Sequence, residues 1–287
     1  MKIMKNAGIV LFSLLSLSLF SACEQTYDDE GVAVPEIGLD GYKETKGSLT
    51  RYTADDEDFT TCVWADEFNG SELDSKIWSY QTGSGIGGNG EQQNYTNENT
   101  KVSNGYLRIT VDNNLNSSRI HTNGKVDFMY GRLVGRIRLV NTGRGSWPAF
   151  WMLGTRYSSI GWPACGEIDI MEHANTDEYI SSTLHWNSNS STTSKNYTDP
   201  SSGSSSQYFD VSQWHNYGLI WTADRIQFTL DGKVINSQAM SGVKKETFNN
   251  PFYFILNYAA GGNFVGVYSG WTNRPWYMDV DFIRVYQ

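Results

Sequence analysis

Short runs of β-branched and aromatic residues recur along the chain between clusters of Gly, Asn, Asp and Ser, a pattern that predicts strands. Amphipathic helical stretches of useful length are lacking. The predicted strands cover 105–112, 131–140, 147–153, 166–173, 179–186, 216–223, 225–231, 252–258 and 276–286. Asp231-Gly232, between two of these runs, is typical of a hairpin turn. The spacing predicts an all-β fold, a two-sheet antiparallel β-sandwich of the jelly-roll type.

Two low-complexity segments interrupt this pattern and are predicted to be loops. Residues 187–206 are almost entirely Ser, Thr and Asn, and residues 83–90 read GSGIGGNG. The Gly-rich segment lacks the Lys-Ser/Thr ending of a phosphate-binding loop and precedes no predicted helix. A nucleotide-phosphate site is therefore not expected there.

The N-terminus has the pattern of an export signal. Two lysines precede an apolar run over 7–20, which is too short to span a bilayer well, and residues 1–22 are predicted to be a signal peptide. The sequence FSAC (20–23) resembles a bacterial lipobox with Phe in place of the usual Leu, which implies lipidation of Cys23. An ordinary signal peptide cleaved before Cys23 is the alternative.

The acidic charge of the chain is concentrated in one segment. Residues 24–58 hold eleven acids and three bases, whereas residues 59–287 hold 20 acids and 17 bases. We predict that 23–58 form a flexible acidic tether and that 59–287 form one catalytic domain. The acidic stretch resembles the surface-export signal of Bacteroides-type lipoproteins, which implies a lipid-anchored protein of the outer membrane at the cell surface. Nucleic acid is excluded as a partner, because no Lys/Arg cluster is present.

The segment 166–173 (GEIDIMEH) places three acids in an otherwise strand-like run. Alternation along a strand puts Glu167 and Asp169 on one face, but Glu172 falls out of step. One extra residue in a β-bulge near Met171 returns all three carboxylates to the same face. The sequence therefore predicts a bulged strand that carries a row of acids.

Neighbouring carboxylates resist ionising together, so one acid stays protonated while another is charged. That is the acid and nucleophile pair of a retaining glycosidase. Trp147, Trp151 and Trp162 flank the acids and offer flat faces for sugar rings. The alternative for the acids alone is a hydrated, calcium-binding or merely soluble strand.

The segments WPAFWMLG (147–154) and WPACGEIDIMEH (162–173) closely resemble the signature of family sixteen glycoside hydrolases, in the laminarinase and mixed-linkage β-glucanase branch. The resemblance extends over most of 60–287. It implies a concanavalin-like jelly roll with a concave substrate groove and a retaining double displacement. By this resemblance Glu167 is the nucleophile, Asp169 the assisting acid and Glu172 the general acid/base.

The resemblance implies further site residues as well. Trp162 is similar to a platform near the cleavage site, and four polar residues match positions that contact sugar hydroxyls, namely Arg119, Asn94, His185 and Asn257. Family members often carry a structural calcium ion, here expected at the carbonyls of Glu67 and Gly105 and at Asp281. No cofactor is expected for catalysis itself.

The sequence thus predicts a monomeric endo-β-glucanase that cuts internal β-1,3 bonds of laminarin-type or mixed-linkage glucans. An agarase-like galactanase and a non-catalytic glycan-binding protein on the same fold are alternatives, and hydrolysis is not separated from transglycosylation. A metal-dependent hydrolase using the three acids and His173 is a weaker alternative, since His173 is expected to face away from Glu172. Cys62 and Cys165 either pair or remain thiols.

Overall fold

The structure is a computed structural model that describes residues 59–177, 179–187, 190–192, 210–267, 270 and 273–287. The predicted signal peptide (1–22), the lipidated Cys23 and the predicted tether (23–58) lie outside the described residues. Within the described ranges, no helix is long and apolar enough to cross a bilayer.

The described residues form eighteen strands and two short helices. The elements are β1 Cys62–Asp66, β2 Ser79–Tyr80, β3 Gly83–Ser84, β4 Asn94–Tyr95, β5 Thr100–Ser103, β6 Tyr106–Val111, β7 Asn116–Ser117, β8 Arg119–His121, β9 Gly131–Val140, β10 Ser146–Gly154, α1 Tyr157–Ile160, β11 Glu167–His173, β12 Ile180–Asn187, β13 Ser190–Thr192, β14 His215–Trp221, β15 Arg225–Leu230, β16 Lys233–Ala239, α2 Gly242–Phe248, β17 Phe252–Ala260 and β18 Trp276–Tyr286.

The strands form two large antiparallel sheets. The first sheet has the order β16-β15-β14-β9-β18-β6-β5, and β1 also pairs with β18. The second sheet has the order β13-β12-β11-β10-β17-β8-β2. A small third sheet, β3-β4-β7, contains a parallel pair. The sheets are not closed into a barrel, and the predicted all-β jelly roll is confirmed.

The core lies between the inner faces of the two large sheets. Alternating burial along strands such as β6 shows which side chains enter it, as expected from the pleat. Phe150 of β10 stacks on Phe254 of β17, with ring centroids 5.8 Å apart, and reaches the backbone of Gly135 on the first sheet. The core includes Leu107, Ile109, Leu133, Ile137, Phe150, Met152, Ile168, Leu219, Phe228, Phe254, Leu256, Met278, Val280 and Ile283.

All nine predicted strands are present, with ends shifted by a few residues. The Asp231-Gly232 turn is also confirmed, since both residues have positive φ and join Leu230 to Lys233. The prediction that two low-complexity segments are loops was wrong in part, because each segment contains a short strand. The Ser/Thr-rich segment 187–206 contains β13, which pairs with the edge of β12, and 83–90 begins with β3. These strands form because they pair with strands elsewhere in the fold, and local composition does not predict such pairing.

Cys165 is a buried free thiol, so it forms no disulfide with Cys62. Burial, followed by the charge of Glu167, raises the pKa of this thiol to about 11. It packs with Leu153, Tyr253 and Ile255 on the outer face of the second sheet. Cys165 is therefore a packing residue in an apolar cluster on the sheet face that also carries the acids.

We expect Phe150→Ala to lower the free energy of unfolding by about 3–5 kcal/mol, because it removes a fully buried ring that contacts both sheets. Urea denaturation followed by tryptophan fluorescence measures the change. The control is Tyr157→Ala, which truncates a side chain that is 50% exposed and should change stability by less than about 0.5 kcal/mol. Equal losses in the two variants would contradict the assigned core.

Candidate active site

A β-bulge in β11 places the three predicted acids on one face. Glu172 pairs with Ala149, and Asp169 pairs with Trp151. Between these two pairs β11 advances three residues, whereas β10 advances only two. The same irregularity occurs against β12. Ser182 Oγ donates a hydrogen bond of 2.9 Å to the carbonyl of Ile170, inside the bulge. The predicted bulge is confirmed, and a buried hydroxyl satisfies the backbone where the ladder is interrupted.

Consecutive apolar residues fill the core at the bulge. Ile168, Ile170 and Met171 all belong to the central core, although regular alternation would send Met171 outward. Since directly opposed residues share a sheet face, the pairings put the acids beside the outward-facing positions of β10. The outer face of the second sheet therefore carries the site.

Glu172 lies at one end of the acidic row, beside aromatic rings. Its Oε1 accepts a hydrogen bond of 2.8 Å from Trp147 Nε1. The Trp147 ring contacts Phe264, with centroids 5.1 Å apart, and Phe264 is 45% exposed. Trp147 thus fixes the carboxyl of Glu172 and also belongs to an aromatic surface that a sugar ring can contact.

Glu167 and Asp169, at the other end, face His185. His185 pairs directly with Glu167 across β11 and β12. Its Nε2 lies 3.7 Å from Glu167 Oε1 and 3.5 Å from Asp169 Oδ2. The Trp162 ring lies beside the imidazole, with centroids 5.7 Å apart, and is 54% exposed. The structure therefore brings His185 and Trp162 to the acids, and their contacts with sugar stay predictions.

A chain of hydrogen bonds fixes Trp151 next to Asp169. Trp151 Nε1 donates to Asn257 Oδ1 at 2.7 Å, and Asn257 Nδ2 donates to Tyr95 Oη at 3.1 Å. Tyr95 Oη in turn donates to Glu91 Oε2 at 3.1 Å. The guanidinium of Arg119 lies 4.9 Å from the centroid of Trp151. Arg119 and Asn257 are thus brought to Trp151, and their contacts with sugar stay predictions.

Asn94 does not join this cluster in any contact of the described residues. Its side chain is exposed and bonds within the third sheet, to Ser84 and Asn116. The next residue, Tyr95, is the one that is buried and reaches Asn257. Alternation along β4 explains the difference, because neighbouring side chains point to opposite faces.

Sequence reasoning missed Glu91, Tyr95 and Phe264. Glu91 lies in the polar run that follows the Gly-rich loop, and from that run the sequence predicted only Asn94 as a site residue. That loop packs against a second Gly-rich turn, where Asn263 N donates to the carbonyl of Asn89 at 2.8 Å. A Cβ on Gly262 would come within 3.0 Å of the same carbonyl, so glycine permits the close approach. The turn carries Phe264 to Trp147.

Burial raises the pKa values of all three carboxyls. The pKa of Glu167 is held well above its ordinary value by burial and then by Asp169, although His185 and Arg119 lower it. Burial and Glu172 raise the pKa of Asp169 well above the ordinary value. Burial also raises the pKa of Glu172, while the hydrogen bond from Trp147 lowers it. The row therefore retains protons to higher pH than exposed carboxyls do.

His173 lies outside this cluster. It is buried, and its Nε2 is 2.7 Å from the carbonyl oxygen of Asp177. Burial lowers its pKa. As expected, it is not a partner of Glu172.

The residues predicted for calcium meet where β18 passes from β6 to β1, since Val280 pairs with Leu107 and Ile283 with Asp66. The carboxylate of Glu67 pairs with Arg284, and Asp281 Oδ2 lies 2.5 Å from Arg136 Nη1. Both carboxylates already pair with arginine side chains. Backbone carbonyls and the second Asp281 oxygen are therefore the donors left for a calcium ion. Calcium prefers six or more oxygen ligands. A structural calcium ion stays a prediction.

A row of largely buried carboxyls between aromatic rings on a sandwich face resembles the sites of enzymes that process glycans. Residues 88–284 match the family described as Glycosyl hydrolases family 16, and the chain belongs to this family.

Relatives and solved structures agree with this assignment. The chain is 35% identical to "Glucan endo-1,3-beta-glucosidase A1" of Niallia circulans, over 78% of this chain and 37% of the relative. It is 32% identical to "Keratan-sulfate endo-1,4-beta-galactosidase" of Sphingobacterium multivorum, over 95% of this chain and 65% of the relative. The chain thus spans less than two thirds of these two relatives.

Among solved structures, the crystal structure of a laminarinase from Flavobacterium sp. UMI-01 superposes with a TM-score of 0.70 at 34% identity. The match covers 79% of this chain and 100% of that one. This similarity confirms the fold of the described sandwich.

We predict that Glu172→Gln raises the melting temperature at pH 7 by about 2–4 °C, the change that about 1 kcal/mol gives in a domain of this size. The native pKa of Glu172 lies above its ordinary value of 4.5, so the folded protein holds a proton that the unfolded chain releases. The stability that this bound proton contributes is therefore lost as pH rises from about 4 through the raised pKa of Glu172. Calorimetric scans between pH 4 and 8 measure the effect.

The gain in Glu172→Gln should shrink toward pH 4, where both states are protonated. Glutamine retains an oxygen that can accept the Trp147 hydrogen bond. Glu72→Gln, on an exposed residue, is the control and should leave the melting temperature unchanged across this range. A gain that does not depend on pH would contradict an electrostatic origin.

Proposed function

We propose that the chain is a retaining endo-β-glucanase that hydrolyses internal β-1,3 bonds of laminarin-type or mixed-linkage β-1,3/1,4-glucans. The observation that carries this proposal is the bulge in β11, which puts Glu167, Asp169 and Glu172 on one face, between Trp147 and His185. Two carboxyls with separate surroundings are what a double displacement needs, and Asp169 lies between them along β11.

In the first step, Glu172 donates its proton to the oxygen of the leaving sugar while Glu167 attacks the anomeric carbon. The hydrogen bond from Trp147 orients the carboxyl of Glu172, and burial keeps it protonated to higher pH. The bond between the anomeric carbon and the leaving oxygen breaks as the bond to Glu167 forms. A covalent glycosyl-enzyme results.

In the second step, Glu172 is a carboxylate and takes a proton from the attacking water. The water oxygen bonds to the anomeric carbon, and Glu167 leaves as a carboxylate. Two inversions give overall retention. Attack by a sugar hydroxyl instead of water gives transglycosylation through the same intermediate.

Asp169 keeps the nucleophile ready by holding a proton. It is the most buried of the three acids, at 5% exposure, and its pKa is raised well above the ordinary value. A protonated Asp169 adds no like charge beside Glu167 and can donate a hydrogen bond to it. His185 and Arg119 then favour the ionised form of Glu167.

The aromatic rings extend beyond both ends of the acidic row, which suits an internal segment of a polymer. Trp162 lies beyond Glu167, and Phe264 lies beyond Glu172. Each of the two rings is about half exposed, with 54% for Trp162 and 45% for Phe264. Sugar units on either side of the cleaved bond can therefore stack on a ring.

An endo-galactanase of the same family is the second candidate. The 32% identity to the keratan-sulfate endo-1,4-β-galactosidase, over 95% of this chain, favours including it in the test. A non-catalytic capture protein is a third candidate, but a binder has no need of three aligned acids. The substrate panel below separates the three.

We expect the purified full chain to convert laminarin and barley mixed-linkage glucan to oligosaccharides, with agarose, keratan sulfate and carboxymethyl cellulose left intact. Reducing-end release and chromatography of the products measure this. Glu167→Gln should lower kcat by at least about 10³-fold, while Glu72→Gln retains full activity. Cleavage of a galactan in place of the glucans would overturn the substrate assignment. Binding without any cleavage would overturn the activity.

Azide separates the roles of the two glutamates. In Glu172→Ala, azide should attack the glycosyl-enzyme and give a glycosyl azide that retains the β configuration. In Glu167→Ala, azide should take the place of the missing nucleophile and give the α product. Proton NMR of the anomeric position distinguishes them, with both variants shown to be folded by circular dichroism. The opposite stereochemistry would exchange the two assignments.

A further inference from the structure

Three side chains at one end of the acidic row form a set that can coordinate a metal. Within the described residues, Glu167, Asp169 and His185 are the group whose ligand atoms all lie within 4.8 Å of one another. Two of these residues come from β11 and one from β12, so paired backbone fixes all three positions. The set is mixed, with one imidazole nitrogen and two carboxylate oxygens.

The distances fit a small metal ion. Zinc bonds to nitrogen and oxygen ligands at about 2.0–2.2 Å, so neighbouring ligand atoms of a tetrahedral site lie about 3.4 Å apart. His185 Nε2 lies 3.5 Å from Asp169 Oδ2 and 3.7 Å from Glu167 Oε1. Both distances are close to the edge length of such a tetrahedron. The third distance, between the ligand oxygens of Glu167 and Asp169, is at most 4.8 Å.

The donor set selects the class of metal. Imidazole together with carboxylates suits zinc and other first-row divalent ions, whereas calcium and magnesium prefer oxygen ligands alone. His185 is 27% exposed and Glu167 is 17% exposed as side chains, so an ion can enter from solvent. Three protein ligands leave a fourth position for water.

We propose that Glu167, Asp169 and His185 form a binding site for zinc or a similar first-row divalent ion, and that this ion blocks glucan cleavage. The ion coordinates the carboxylate oxygens of Glu167, so this carboxylate cannot attack the anomeric carbon. The binding itself rests only on the geometry of the three residues. The inhibition rests in addition on the proposed function.

We expect the purified full chain, in chelator-treated buffer, to bind one zinc ion in competition with a chromogenic zinc indicator. His185→Gln should weaken this binding at least tenfold, because glutamine replaces the nitrogen ligand. His121→Gln is the matched control. It changes one of the other three histidines, which packs on Tyr253, and should leave zinc affinity unchanged. Asp169→Asn is a second variant and should also weaken binding at least tenfold.

Laminarin cleavage is then measured at rising zinc concentration. Inhibition of the wild type at the concentration that saturates the indicator assay, reversed by chelator, supports the proposal. Zinc affinity that is unaltered in folded His185→Gln and Asp169→Asn would overturn it. If zinc binds through His185 but the wild type cleaves no glucan, the metal site stands and the proposed function fails. Cleavage that continues unaltered with zinc bound overturns the inhibition.

Discussion

One extra residue in β11 determines which face of the sheet carries Glu172. A regular strand would turn this carboxyl into the core between the sheets, where an unpaired charge is strongly unfavourable. The bulge instead sends Ile170 and Met171 into the core in succession and returns Glu172 to the outer face. The contact with Trp147 and the acidic row both depend on that local irregularity.

The surrounding strands hold the bulge in place. β11 is an interior strand between β10 and β12, and Ser182 donates to the carbonyl of Ile170 inside the bulge. β17, on the far side of β10, is buried along its whole length. It is covered by the core on one face and on the other by the cluster that contains Cys165. The site is thus built on rigid paired backbone, which positions side chains better than loops do.

The sequence predicted the sandwich, the bulge and the acidic row, because these features leave periodic or local marks. Alternation identified the strands, and the break in alternation at Glu172 identified the bulge. Tyr95 and Phe264 left no such mark, since each reaches the site through contacts between distant loops. The sequence also could not show that Asn94 lies outside the site. A shift of one position along a short strand reverses the face, and register of that kind depends on tertiary pairing.

The same crowding of acids that disfavours ionisation also favours any cation that enters. An oxocarbenium-like transition state carries positive charge at the anomeric carbon, and Glu167 and Asp169 lie where that charge develops in the proposed mechanism. In the free protein, His185 and Arg119 lower the pKa of Glu167 and so partly offset the crowding that disfavours its ionisation. At the proposed zinc site, a divalent metal would compete for the same carboxylate oxygens. Attraction to a transient positive charge and affinity for a metal ion are therefore two consequences of one arrangement.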